Sequence, residues 1–177
     1  MKKTLLTLVA ALLLTSESYG QEGFPRLQVG VSYAALGSTT ALQSTNGKYH
    51  NGIVVPLDIN FRKSFGLENC AALYGISQFG NKRTKMVSDT FGLKFIARGT
   101  RVMLYGTAGA GLSYLTHDMG YGSVFPTFRY APGVEFELND RMSFRSDFGF
   151  MTFKIQRFLG WETAPNFTGG FVFRITH

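Results

Sequence analysis

The chain has 177 residues, 21 of them glycine and 17 phenylalanine, and only 16% are charged, against roughly 25% in an average protein. A composition so poor in charge is not that of a disordered chain, and the length suits a single domain. No run of about 18 consecutive apolar residues exists, which argues against a helical membrane span, so the aromatics, the glycines and the formal charge of +7 need another origin.

Lys2 and Lys3 precede an apolar run from Leu5 to Leu14, and a polar stretch follows that ends in small residues at Ser18 and Gly20. This is the layout of a secretory signal peptide, with cleavage expected after Gly20 and a mature chain starting at Gln21. Without residues 1–20, which hold Lys2, Lys3 and Glu17, the 18 basic and 11 acidic side chains fall to 16 and 10, a formal charge of +6. Export makes nucleic acid a poor partner and anionic lipid or polysaccharide a better one. Cys70 is the single cysteine, so no internal disulfide is expected.

From Arg26 onward the apolar residues recur every second position, the period of a two-faced strand. The first run, Arg26 to Leu36, sets Leu27, Val29, Val31, Tyr33 and Ala35 against Gln28, Gly30, Ser32 and Ala34. The second, Gly52 to Arg62, sets Ile53, Val55, Leu57, Ile59 and Phe61 against Val54, Pro56, Asp58 and Asn60. The third, about Leu67 to Gln78, alternates too poorly for its faces to be assigned. In the fourth, Ser88 to Arg98, Phe91, Leu93, Phe95 and Ala97 oppose Thr90, Gly92, Lys94 and Ile96. The fifth, Arg101 to Tyr114, places Val102, Leu104, Ala108, Ala110, Leu112 and Tyr114 opposite Thr107, Gly109, Gly111 and Ser113, with Met103 and Tyr105 blurring the pattern. The sixth, Thr127 to Leu138, sets Phe128, Tyr130, Pro132, Val134, Phe136 and Leu138 against Arg129, Gly133, Glu135 and Glu137. The seventh, Arg141 to Thr152, opposes Met142, Phe144, Phe148 and Phe150 to Ser143, Arg145, Asp147 and Gly149. The eighth, Phe167 to His177, opposes Phe167, Phe171, Phe173 and Ile175 to Thr168, Gly170, Arg174 and Thr176.

Each run is about 9 to 12 residues, close to the roughly 9 to 11 that cross a bilayer when tilted. Long connections at 37–51, 79–87, 115–126 and 153–166 alternate with short ones at 63–66, 99–100 and 139–140. An all-β, eight-stranded antiparallel up-and-down transmembrane barrel over residues 21–177 follows, its apolar faces outward. The opposite faces carry Asp58, Glu135, Glu137 and Asp147 with Lys94, Arg129, Arg145 and Arg174, four acids and four bases. That balance suits a narrow lumen in which a buried charge needs a partner. Gly30, Gly92, Gly109, Gly111, Gly133, Gly149 and Gly170 fall on the same inner faces and leave room for those side chains. Tyr33, Tyr114, Tyr130, Phe153, Trp161 and Phe167 lie near strand ends, where interfacial girdles form. The competing arrangement is a soluble periplasmic barrel that binds a hydrophobic ligand, with the charged face in water.

The fifth run, VMLYGTAGAGLSYL from Val102 to Leu115, and the segment FRYAPGVEFELNDRMSFRSDFGF from Phe128 to Phe150 resemble the OmpA-like outer-membrane β-barrels of Gram-negative bacteria, a porin-like family. The resemblance covers most of the mature chain. It implies a cell-envelope protein in the outer membrane, surrounded by lipid and lipopolysaccharide and inserted by the barrel-assembly machinery. Family members commonly end in an aromatic residue; here Phe171, Phe173 and Ile175 keep the alternation ahead of His177.

Eight strands enclose a lumen just wide enough for side chains, so a large pore is not expected and function is placed in the external loops. The resemblance implies a structural, adhesive or ligand-binding surface protein, expected as a monomer with an extracellular ligand. Lys82, Arg83 and Lys85, in the sequence Asn81-Lys82-Arg83-Thr84-Lys85, form a basic cluster suited to lipopolysaccharide phosphates or acidic polysaccharide; an ordinary solvated loop is the plain alternative. Because some small outer-membrane barrels act on lipid A, an acyl hydrolase or acyltransferase is a further reading. Its candidates are His117, Asp118 and Ser113, or Ser123, since acyl transfer needs a nucleophile beside an oriented base. Adjacent His117 and Asp118 would point to opposite faces if extended, so no enzyme is expected. Gly106 to Gly111 sits within a strand without a following helix, which excludes a phosphate-binding loop. Three scattered histidines, His50, His117 and His177, with one cysteine do not make a metal site, and no cofactor is expected. Cys70 reads as a small buried or lipid-facing residue.

Overall fold

In the computed structural model, residues 27–40, 42, 49–78, 82–116, 122–154 and 160–176 are described. The proposed signal peptide and its cleavage point lie outside them. Eight strands follow in chain order: β1 (Leu27–Gly37), β2 (Tyr49–Arg62), β3 (Phe65–Gln78), β4 (Lys82–Arg98), β5 (Val102–Thr116), β6 (Gly122–Asn139), β7 (Met142–Phe153) and β8 (Glu162–Thr176). Each pairs antiparallel with its neighbours, and β1 pairs with β8 from Gln28↔Arg174 to Leu36↔Asn166, closing the barrel. Closure leaves no strand edge unpaired, which an apolar surrounding demands.

The two-residue period decides which way the wall faces. Phe91, Leu93, Phe95, Leu104, Phe128, Phe136 and Phe171 are all exposed, whereas Asp58, Lys94, Arg129, Arg145 and Asp147 are buried inside. A soluble barrel with its apolar face inward is thereby overturned: the wall is apolar and the lumen holds the charge. β3, whose faces the sequence left open, turns Phe65, Leu67, Asn69, Ala71 and Leu73 outward and Gly66, Glu68, Cys70, Ala72, Tyr74 and Ile76 inward. Apolar and small residues stand on both of its faces, which is why alternation was faint. Cys70 is buried.

At one end the connections are tight turns, Lys63-Ser64, residues 99–101 and Asp140-Arg141. The Asn139 side chain accepts from the Arg141 N–H at 2.9 Å, a local bond by which Asn holds a turn. Pairing irregularities gather at this end, between Asn60 and Arg62, Glu137 and Asn139, and Leu27 and Gln28. Such bulges let strands bend as a barrel closes. At the other end the strands outrun the expected lengths. β3 and β4 stay paired up to Gln78↔Lys82, so the loop expected at 79–87 shrinks to 79–81. β5 and β6 likewise pair as far as Thr116↔Gly122, and β8 starts at Glu162. A polar run without apolar alternation reads as loop, but backbone pairing needs no apolar face.

Candidate functional site

The lumen is filled in two different ways along its length. Toward the turn end, Arg145 stands at the centre of an ionic network. Its Nη1 donates to Asp58 Oδ2 at 3.0 Å, its Nη2 to Glu68 Oε2, and its Nε to the Tyr105 hydroxyl at 2.6 Å. Tyr105 in turn donates to Asp147 Oδ2 at 3.0 Å. Arg129 reaches Glu68 at 2.7 Å and Asp147 at 2.9 Å, and Lys94 reaches Asp58 at 2.5 Å. Charges alternate around this ring, and β2 through β7 each contribute a member. The guanidinium of Arg145 also lies 4.2 Å from the centre of the Tyr105 ring, a cation–π contact that is favourable where water is absent.

The sequence placed Asp58, Lys94, Arg129, Arg145 and Asp147 in this lumen correctly but missed Glu68 and Tyr105, on the two runs whose alternation was weakest. The remaining members take other places. Glu135 is buried without an ion pair in the described structure: Gln28 Nε2 donates to its Oε1 at 3.3 Å, Asn60 donates to Gln28 at 3.1 Å, and Glu135 Oε2 has no hydrogen-bond partner. Glu137 and Arg174 pair with each other at 2.5 Å at the turn-end rim. A cavity of about 10 Å³ beside Glu68, Gly92, Gly109 and Arg129 has room for about one water.

Toward the loop end the filling is apolar. Leu36, Ile76, Met86, Leu115, Phe125 and Phe153 pack in one buried cluster with Tyr74 and Met151. Phe153, expected in an interfacial girdle, therefore points into the lumen; Tyr33, Tyr114, Tyr130, Trp161 and Phe167 do face outward. Asn166 donates to the Tyr74 hydroxyl at 2.5 Å, which donates to Met151 Sδ at 3.5 Å. Leu42, from the β1–β2 connection, is fully buried in this cluster. Thr39 Oγ1 accepts from its N–H at 3.1 Å, and His50 Nε2 donates to its carbonyl at 3.0 Å.

Of the predicted catalytic set, only the serines lie among the described residues. Ser113 lies in the lumen wall, within 2.9 Å of Ser88 Oγ and 2.6 Å of Thr127 Oγ1, hydroxyls that cannot serve as a general base at neutral pH. Ser123 sits at the start of β6, while His117, Asp118 and His177 lie outside the described residues. The basic cluster is not in a loop: Lys82, Arg83 and Lys85 belong to β4, at its loop end. Lys85 is exposed, and its backbone is clamped by Thr116, which accepts from the Lys85 N–H and donates to its carbonyl, both at 3.1 Å.

An apolar wall, a closed eight-strand sheet and a packed lumen are the features of a small membrane barrel, and the sequence matches the outer membrane protein beta-barrel domain over residues 6–174. The chain belongs to this outer membrane β-barrel family. The family places it in the outer membrane, where the tight turns of such barrels face the periplasm and the other end faces outward. Among solved structures it is similar to Neisserial surface protein A, at 12% identity over 87% of this chain and 100% of that one, with a TM-score of 0.69. OprG of Pseudomonas aeruginosa matches at 12% identity over 85% of this chain and 96% of that one, TM-score 0.56. Ail of Yersinia pestis, solved in complex with the heparin analogue sucrose octasulfate, matches at 15% identity over 83% and 95%, TM-score 0.51. A 64-residue stretch is 39% identical to the Photosystem I assembly protein Ycf4 of Synechocystis, and the chain spans only 34% of that curated relative's length. These features describe a small barrel of that family.

Proposed function

We propose that this outer membrane barrel acts through its external end, where the basic segment Lys82, Arg83 and Lys85 at the tip of the β3–β4 hairpin binds an anionic surface ligand, the phosphates of lipopolysaccharide or an acidic polysaccharide. The observation that carries the reading is the exposed Lys85, on a backbone held by both hydrogen bonds of Thr116 at 3.1 Å. A cation on a paired strand loses less freedom on binding than one on an open loop. The buried apolar cluster around Phe125 and Phe153 that fills the lumen toward the external end supports a role at the surface rather than conduction. Ail, a barrel of the same fold, takes a sulfated ligand, which is consistent with anion binding on such a scaffold.

The test compares the wild type with a Lys82→Ser, Arg83→Ser, Lys85→Ser triple variant, both refolded in lipid, for retention on immobilised lipopolysaccharide and on heparin. Weaker retention that also disappears with added salt is expected, because exposed charge pairs are screened. Unchanged retention removes the reading. Cleavage after Gly20 belongs to the same proposal, and mass spectrometry of the protein extracted from outer membranes should find a chain beginning at Gln21.

A further inference from the structure

Among the bonded polar side chains on the described outer wall, which include Tyr33 with Asn51 and Thr152 with Thr163, one pair contains a carboxylate. Asp89 on β4 is exposed on the membrane face, with Val87 and Phe91 beside it along the strand and Ala71 and Leu112 directly across on β3 and β5. Among the described residues it is the one carboxylate facing outward within the apolar band. Asn69 of β3, on the same face, donates to Asp89 Oδ1 at 2.8 Å. That bond uses one of the two N–H donors of Asn69 and one of several acceptor positions on the carboxylate. The rest faces a surrounding without water, where an unsatisfied polar group is costly and an ionisable side chain marks a functional contact.

We infer that the Asn69–Asp89 pair is the centre of a two-fold contact between two copies of this barrel within the membrane, in place of the expected monomer. A two-fold interface must be self-complementary, residue i of one copy meeting residue j of the other and the reverse. A donor beside an acceptor meets that condition: rotation by a half turn brings the spare N–H of each Asn69 to the free oxygen of the opposite Asp89. The ring closes with the amides between the two carboxylates. The surrounding wall permits close approach. It is low in relief at Ala71, Ala108 and Ala110, and an added Cβ at Gly106 would meet nothing within 4 Å. Small residues of this kind let membrane segments pack closely. The opposite wall is studded with stacked aromatics, Phe148 against Phe167 at 4.5 Å and Tyr130 against Phe150 at 5.6 Å, and its described polar pair, Thr152 with Thr163, is of two neutral hydroxyls.

The test is oxidative cross-linking in intact outer membranes, with Cys70→Ser as background. Ala71→Cys beside the pair should give a disulfide-linked species of twice the barrel mass, and Phe171→Cys on the aromatic wall should not. Adding Asp89→Leu to Ala71→Cys should lower the dimer yield about tenfold, the factor for two lost hydrogen bonds inside a membrane, while the barrel keeps its heat-modifiable gel shift. If the Asp89→Leu chain does not assemble, Asn69→Leu reads the same contact. The inference is overturned by equal cross-linking at both walls, by an Ala71→Cys chain that stays monomeric or links to a protein of another mass, or by undiminished yield in the Asp89→Leu and Asn69→Leu chains. Loss of co-purifying lipopolysaccharide without loss of cross-linking also overturns it and makes lipid the occupant.

Discussion

The periplasmic and external halves of the lumen enclose the same kind of space and fill it by opposite means. The periplasmic half is held by directional contacts, with Arg145, Arg129 and Lys94 each facing named carboxylates from other strands. The external half is held by shape, as Met86, Phe125 and Phe153 exclude water and admit Leu42 from a connecting segment. The difference bears on register. Sliding a strand by two residues keeps every apolar side chain on the membrane face, so alternation alone does not forbid it. It would, however, carry Glu68 away from Arg129 and Arg145. Buried ion pairs add little net stability, but separating them is costly, so the ionic half selects the register that the apolar half then seals.

Breaking the ionic half should have the largest effect. Arg145→Met leaves Asp58 and Glu68 short of a cation and should cost about 3–5 kcal/mol, measured by urea unfolding of the barrel in lipid vesicles. The loss should shrink in acid, since a protonated carboxyl no longer needs the missing cation; a loss independent of pH would erase the distinction between the halves. Met86→Ala in the external half should cost about 2–4 kcal/mol through the cavity it leaves, and that cost should not change with pH.

Smaller effects sharpen the comparison. A Cβ at Gly133 would run into the ring of Tyr105, the residue that joins Arg145 to Asp147. Gly133→Ala should therefore cost about 1–3 kcal/mol by overpacking, whereas Gly106→Ala on the open wall should stay within about 0.5 kcal/mol. A thermal midpoint on semi-native gels separates the two, and equal midpoints would show that Tyr105 can move at no cost. Glu137→Gln should matter least, below about 1 kcal/mol, because its pair with Arg174 lies at a partly exposed rim.

Much of this was legible in the order of residues. The period of two placed five of the network charges inside and turned the phenylalanines outward, and the tight turns were visible at Asn139-Asp140. The misses have different causes. Glu68 and Tyr105 sit on stretches where apolar residues appear on both faces, so parity could not be assigned locally. Phe153 was put on the outer wall because its aromatic type was weighed above its parity, although it continues the inner face of Arg145, Asp147 and Gly149. The basic run Lys82 to Lys85 read as a loop because its strand pairing shows only in the backbone.

What the sequence determined by itself was therefore local: strand number and the side each strong alternation presents. Which charge meets which, the division of the lumen into an ionic and an apolar half, and the meeting of Asn69 with Asp89 on the outer wall were decided by tertiary structure. Side-chain parity repeats every two residues along one strand and can be read there. A contact across the barrel depends on the register of each pairing between its ends, and that sum exists only once the sheet has closed.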